Sequence, residues 1–201
     1  MYSTKTATTN NQEFVSSYMP VGINENINLI ECNVRKSPQG KDFLEFVFSN
    51  AEGQTVTMTE WKNEKNMWIK SDEDLQQRDN QQFGRILQVL NCFSDALPEV
   101  EFSNFAEMIN WAATVAKQYI ITKKPLRLKV IYDNKGYTNV SRLGTFIEPM
   151  DVQETQIKLF KRDLLERPIV ADKEPAADPF GSPTQATSDN LSNTGADDLP
   201  F

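Results

Sequence analysis

The chain contains no histidine. That absence removes the Ser-His and Cys-His nucleophile systems, the usual zinc ligand sets and the commonest general base. Cysteine is scarce: Cys32 and Cys92 stand alone, as expected of reduced, buried small hydrophobes rather than a disulfide framework. The Gly-x-x-x-x-Gly-Lys-[Ser/Thr] phosphate loop is missing, and so is Gly-x-Gly-x-x-Gly. A carboxylate-only Mg²⁺ site stays open as an alternative, but the acidic residues are scattered and form no compact Asp-x-Asp cluster in a strand-like segment. Neither enzymatic activity nor a cofactor or metal is expected. No apolar run reaches the ~18 residues of a membrane span. The stretch from Met1 to Asn10 is polar, unlike a signal peptide. A cytoplasmic location is expected.

The 201 residues, 39% hydrophobic and 10% aromatic, suit one domain with appendages and a packed body of about 150 residues. The net charge of −7 is unevenly spread. Residues 171–201 carry Asp172, Glu174, Asp178, Asp189, Asp197 and Asp198 against Lys173, a net of −5 that leaves −2 for residues 1–170. A body so close to neutral can carry a local basic face.

Residues 1–12 are polar and read as disordered. Alternating apolar positions then predict three strands: Val21 to Arg35, Asp42 to Asn50, with Leu44, Phe46 and Phe48 on one face, and Gln54 to Trp61. Ser37-Pro-Gln-Gly40 and Ala51-Glu-Gly53 are turns by their chemistry. Ser71 followed by Asp72, Glu73 and Asp74 predicts the N-terminus of a helix running to about Phe93. A second helix is expected from Ser103 through Tyr119. Strand periodicity returns from Pro125 to Tyr132, with a hairpin turn at Asp133–Gly136 and a partner strand from Tyr137 to Ile147. Gln153 to Arg167 has the spacing of a short amphipathic helix. From Pro168 the composition turns to Pro, Ala, Ser, Thr, Asp and Gly and reads as a disordered acidic tail.

The tail runs out in Asp197-Asp198-Leu199-Pro200-Phe201. A terminal aromatic ring behind two carboxylates suits an apolar cleft with a Lys or Arg rim on another protein. This ending resembles the C-terminal tip of bacterial and phage single-stranded DNA-binding proteins. The resemblance implies recruitment of replication, recombination or repair proteins through these five residues. The body adds its own support. Three meander strands, a helical insert over about 71–120 and a two-strand hairpin form the β-β-β-α-α-β-β order of a five-stranded OB-fold barrel, expected over residues 13–167. A different α+β topology with the same element string is the alternative. The two-helix insert is larger than the single helix of the bacterial family.

Sequence-independent binding of single strands needs aromatic faces for the bases and cations for the phosphates. If Leu126, Leu128 and Val130 face the interior, Arg127 and Lys129 point outward as phosphate contacts or as an ordinary solvated face. Arg35, Lys36 and Lys41 flank the first hairpin loop. Trp61 lies on the polar face of its strand, as a stacking platform or as a cap on the barrel. Trp68, with Lys62 nearby, combines an aromatic with a basic neighbourhood, or packs a helix on the barrel. Phe43 and Tyr137 are similar candidates. The expected function is protection of single-stranded DNA during replication, recombination and repair. The alternative is an OB-like adaptor that binds proteins without nucleic acid.

Overall fold

The computed structural model describes residues 17–94 and 96–168. The expected disordered N-terminus and the acidic tail with its Asp197–Phe201 tip lie outside these. Among the described residues, six strands and two helices occur in the order β1 (Gly22–Lys36), β2 (Asp42–Ser49), β3 (Thr55–Trp61), α1 (Asp72–Asn91), α2 (Phe105–Ile120), β4 (Leu126–Tyr132), β5 (Thr138–Val140) and β6 (Ile147–Pro149). The antiparallel sheet runs β3-β2-β1-β4-β5, with β6 also on β4. It curls into a nearly closed barrel.

β1 is long because it serves two neighbours. Its second half pairs with β2, from Asn28↔Ser49 to Lys36↔Asp42, and its first half with β4, from Gly22↔Val130 to Ile27↔Leu126. Register shifts between Asn24 and Ile27 and between Leu29 and Glu31 bend it from one half to the other, as β-bulges do. Asn26 takes the left-handed conformation at the first of them, with φ 56°.

The period-2 pattern fills the interior as the sequence predicts. Leu29, Leu44, Phe46, Phe48, Val56, Met58, Leu126, Leu128 and Val130 are all buried. Burying each large apolar side chain is worth about 1.5–3 kcal/mol. Both helices close on this core. α1 contributes Ile86, Val89 and Leu90, and α2 contributes Ile109, Ala112 and Ala116. Ser71 caps α1 in a reciprocal box with Asp74. The α2 cap falls on Asn104, one residue beyond the Ser103 start read from the sequence, and its side chain accepts from the Glu107 N–H.

Two segments depart from expectation. The strand expected from Tyr137 to Ile147 is broken into β5 and β6. Lys129 pairs with both sides of the break, its N–H donating to Phe146 and its carbonyl accepting from Ser141, so Arg142–Thr145 bulge out. The bulge lets the Arg142 guanidinium reach the Thr59 carbonyl at 3.0 Å, tying the β5 side of the barrel to β3. The second departure is residues 153–167, which form no helix. They run as an irregular strap over β4. The N–H groups that a helix would use internally go elsewhere: Gln156 donates to Glu148, and Phe160 to the Asp163 carboxylate. The Leu164 carbonyl accepts from Tyr132.

This strap overturns one expectation about charge. Arg127 and Lys129 do point away from Leu126, Leu128 and Val130, but the far side is covered and not open to solvent. Lys129 is fully buried. Its ammonium donates to the Leu143 and Lys158 carbonyls, each at 2.9 Å, and to Asp163 at 3.1 Å, using all three of its donors. Arg127 is held by Glu25 and Glu148.

Candidate nucleic-acid interface

The outward face of the meander carries the residues the core does not use. Strand alternation sends Phe43, Glu45 and Val47 of β2 and Thr57, Thr59 and Trp61 of β3 to this side. Register then sets Arg35 opposite Phe43, and Phe43 opposite Trp61. The result is one row across three strands: a guanidinium, a phenyl ring and an indole. The two rings stack with centroids 4.2 Å apart and planes inclined by 18°. Trp61 remains 41% exposed, which leaves indole surface for a further planar group.

Trp61 is held from beneath. Glu60, the next residue and therefore inward-facing, is 1% exposed. Arg85 of α1 clamps its carboxylate with two bonds of 2.8 and 2.7 Å. Gln82 adds a bond of 2.9 Å to the same carboxylate and one of 2.7 Å to the Trp61 carbonyl. This buried network pins the end of β3 to α1. Alternation with Val56 and Met58 turns Glu60 inward, but nothing in the local sequence supplies its partners, which come from a helix more than twenty positions away.

The cations around the row are engaged by carboxylates. Arg35 pairs with Glu45 and Glu31, Lys36 with Asp42 at 2.8 Å, and Lys41 with Glu64 at 3.0 Å. Exposed pairs of this kind contribute about 0–1 kcal/mol, so a phosphate can replace the carboxylate at little cost. Lys36 and Lys41 flank the turn Ser37–Gly40, closed by the Gly40 N–H on the Ser37 carbonyl at 2.9 Å. Gly40 takes φ +79°, a conformation that disfavours a side chain. Beside the row lies a cleft of about 550 Å³ lined by Lys41, Asp42, Trp61, Lys62, Asn104 and Phe105, among others.

Trp68 sits in the loop between β3 and α1. The Asn66 side chain accepts from the Trp68 and Ile69 N–H groups at 2.8 and 3.1 Å. Ile69 is buried and anchors the turn, while Met67 and Trp68 are 76% and 84% exposed. An indole displayed on an ordered turn serves no core. The reading of Trp68 as helix packing is therefore set aside. Trp111, by contrast, packs with Phe83 and Phe102 between the helices.

The structure thus brings Arg35, Lys36, Lys41, Phe43, Trp61 and Lys62 together, with Trp68 on the loop that follows Lys62. Tyr137 lies at the opposite end of β3. It lines a second cleft of about 350 Å³ with Tyr18, Gln54, Tyr132 and Arg167. Tyr18 reaches this cleft because its segment docks on the edge of β3, bridging Thr55. No local pattern marks Tyr18 or Arg142 in the sequence; the barrel's closure brings them to this side. Lys129 is bound up under the strap and Arg127 is held between Glu25 and Glu148, so neither joins the group.

Among the described residues, no group of three or more His, Cys, Asp or Glu side chains converges on a metal-sized site, and no helix is long and apolar enough to cross a membrane. Compared with known proteins, the chain matches no family model and no curated sequence.

Proposed function

We infer that this domain is an OB-type barrel that binds single-stranded DNA without sequence preference. The observation that carries the reading is the Arg35–Phe43–Trp61 row. It offers stacked aromatic surface to a base and a cation to its phosphate on one accessible face, the two requirements for such binding. Trp68, Lys62, Lys36 and Lys41 extend the face, and Tyr137 marks its other end. The nearly closed barrel and its helical insert are compatible with the OB architecture, whose middle strands and loops bind nucleic-acid strands.

On this reading the protein covers and protects single strands during replication, recombination and repair. Asp197–Phe201 recruits partner proteins; that part rests on the tip's resemblance and on its acidic-aromatic chemistry.

Titration with poly-dT at several salt concentrations, followed by tryptophan fluorescence, tests the central claim. Quenching is expected, with an affinity that falls log-linearly with salt at a slope of about 0.7 per cation engaged. Absence of binding at low salt, both in the full chain and without residues 171–201, would reject it.

A second reading is favoured by one observation: Arg35, Lys36 and Lys41 are already paired with carboxylates. A charge-balanced aromatic face also suits an adaptor that meets proteins. The same titration separates the two, because an adaptor gives no salt-dependent affinity for poly-dT.

A further inference from the structure

The strap turns sharply at Phe160–Asp163, where the Asp163 N–H donates to the Phe160 carbonyl at 2.9 Å and the Phe160 N–H donates back to the Asp163 carboxylate at 2.7 Å. Lys161 and Arg162 form the tip of this turn, and both are exposed. Four large apolar side chains surround them: Leu159, Phe160, Leu164 and Leu165, at 47%, 43%, 37% and 40% exposure. Among the described residues, Lys158, Lys161 and Arg162 form no ion pair, unlike Arg35, Lys36 and Lys41 on the meander face. The nearest carboxylate in sequence, Asp163, points inward and is consumed by Lys129, Ser141 and the Phe160 N–H. Beside the tip opens a cleft of about 410 Å³ lined by Leu143, Gly144, Phe160, Lys161 and Arg162.

The anchoring is costly. Withdrawing an ammonium from water is strongly unfavourable until its partners offset it. Lys129 nevertheless sits at 0% exposure, with Phe160 packed 4.6 Å over it. A fold that only had to cover β4 could use apolar side chains. What this network adds is a fixed turn that displays cations and apolar groups in solvent, already ordered for binding.

We propose that the turn Leu159–Leu165 is a docking surface for an acidic segment of a partner protein that carries apolar side chains among its carboxylates. Charge complementarity selects the acid: Lys161 and Arg162 in the turn and Lys158 just before it are exposed and form no ion pair among the described residues. The leucines select protein over nucleic acid, because bases stack on aromatic rings and three of the four apolar groups here are aliphatic. The cleft beside Phe160 would receive an apolar side chain while Lys161 and Arg162 meet carboxylates on its rim. The proposal is independent of strand binding by the meander face.

The test uses the full chain and a displayed library of random dodecapeptides, with the double variant Lys161→Glu/Arg162→Glu as the counter-selection. Enrichment of peptides combining Asp or Glu with Leu, Phe or Trp is expected. The best peptide, followed by fluorescence anisotropy, should lose at least tenfold affinity to the double variant and to Leu159→Ser. Both variants alter exposed side chains and should melt like the unmodified chain; Lys161→Arg should keep binding. Enrichment no greater than on the double variant would overturn the proposal. So would equal affinity for a matched peptide with its apolar residues changed to Ser, which would mean simple charge attraction. Displacement of the peptide by stoichiometric oligo-dT, or by vesicles rich in anionic lipid, would assign the turn to nucleic acid or to a membrane surface instead.

Discussion

Phe43 and Trp61 stand directly opposite each other in the β2–β3 register, and their rings stack at 4.2 Å. Phe43 backs the indole on one side, so a base can use only what Trp61 leaves exposed. Trp61→Ala should weaken poly-dT binding by about 1–3 kcal/mol, with every 1.4 kcal/mol read as about tenfold in Kd. Phe43→Ala acts partly by releasing the indole. The double variant should therefore lose less than the sum of the two, a coupling that a double-mutant cycle measures. Additive losses would mean that the rings bind separately.

Fluorescence distinguishes the three tryptophans. Trp68 is 84% exposed and Trp61 41% exposed, whereas Trp111 packs against Phe83 and Phe102. Trp111→Phe should leave the fractional quenching by oligo-dT undiminished. Trp68→Phe and Trp61→Phe should each remove part of it. Quenching that disappears with Trp111 would move the binding face to the helices.

The Glu60–Arg85 clamp gives a stability prediction. Arg85→Ala leaves the Glu60 carboxylate, 1% exposed, without its bidentate partner. Breaking a buried pair from one side costs about 3–5 kcal/mol, to be measured by urea unfolding. Arg85→Ala/Glu60→Leu should recover much of that loss, because no buried charge remains. Any loss of strand affinity in the folded Arg85→Ala protein would come through Trp61, which this network positions.

Asp163 makes stability depend on pH. Burial alone would raise its carboxyl; hydrogen bonds from the Phe160 N–H, the Ser141 hydroxyl and the Lys129 ammonium overcome this and hold it below its ordinary value of 3.8. A depressed carboxylate contributes stability that is fully present above its unfolded pKa and is lost as pH falls through the folded one. Glu148, lowered in the same way by Thr155, Gln156 and Arg127 against its own burial, acts in the same direction. Melting temperature should therefore drop as pH falls below about 4. Asp163→Asn should be less stable at neutral pH and show a shallower acid slope. An unchanged slope would show that the anchor does not titrate with folding.

Cys32 and Cys92 are buried, and burial pushes both thiols up to about 12. Reactivity belongs to the thiolate. Neither thiol should react with a disulfide reagent at pH 8 in the folded protein, and both should react promptly in urea. Fast labelling of the native chain would mean that the barrel opens locally.

Local pattern was enough to place most of the elements. The alternation through Leu44, Phe46 and Phe48 and through Leu126, Leu128 and Val130 predicts the strands and their buried faces, because side-chain direction in a strand has period two. Ser71 announces α1 for a similarly local reason, its own side chain meeting the Asp74 N–H. The polar-face position of Trp61 and Phe43 was legible for the same reason.

What the pattern could not supply is what lies over a face once it is formed. Period two sends Lys129 away from the core, but only the tertiary structure decides whether that side meets water or a strap. The same strap had the spacing of a helix, yet its Gln156 N–H goes to Glu148 of β6, its Leu164 carbonyl accepts from Tyr132 of β4 and its Asp163 carboxylate takes the buried Lys129 ammonium, partners that no local propensity encodes. By itself the sequence determined which residues turn in and which turn out, since that follows from backbone geometry over a few neighbours. The tertiary structure alone decided which outward residues stay exposed, which cations meet, and which turn is held out to solvent, because those outcomes depend on contacts between segments far apart in the chain.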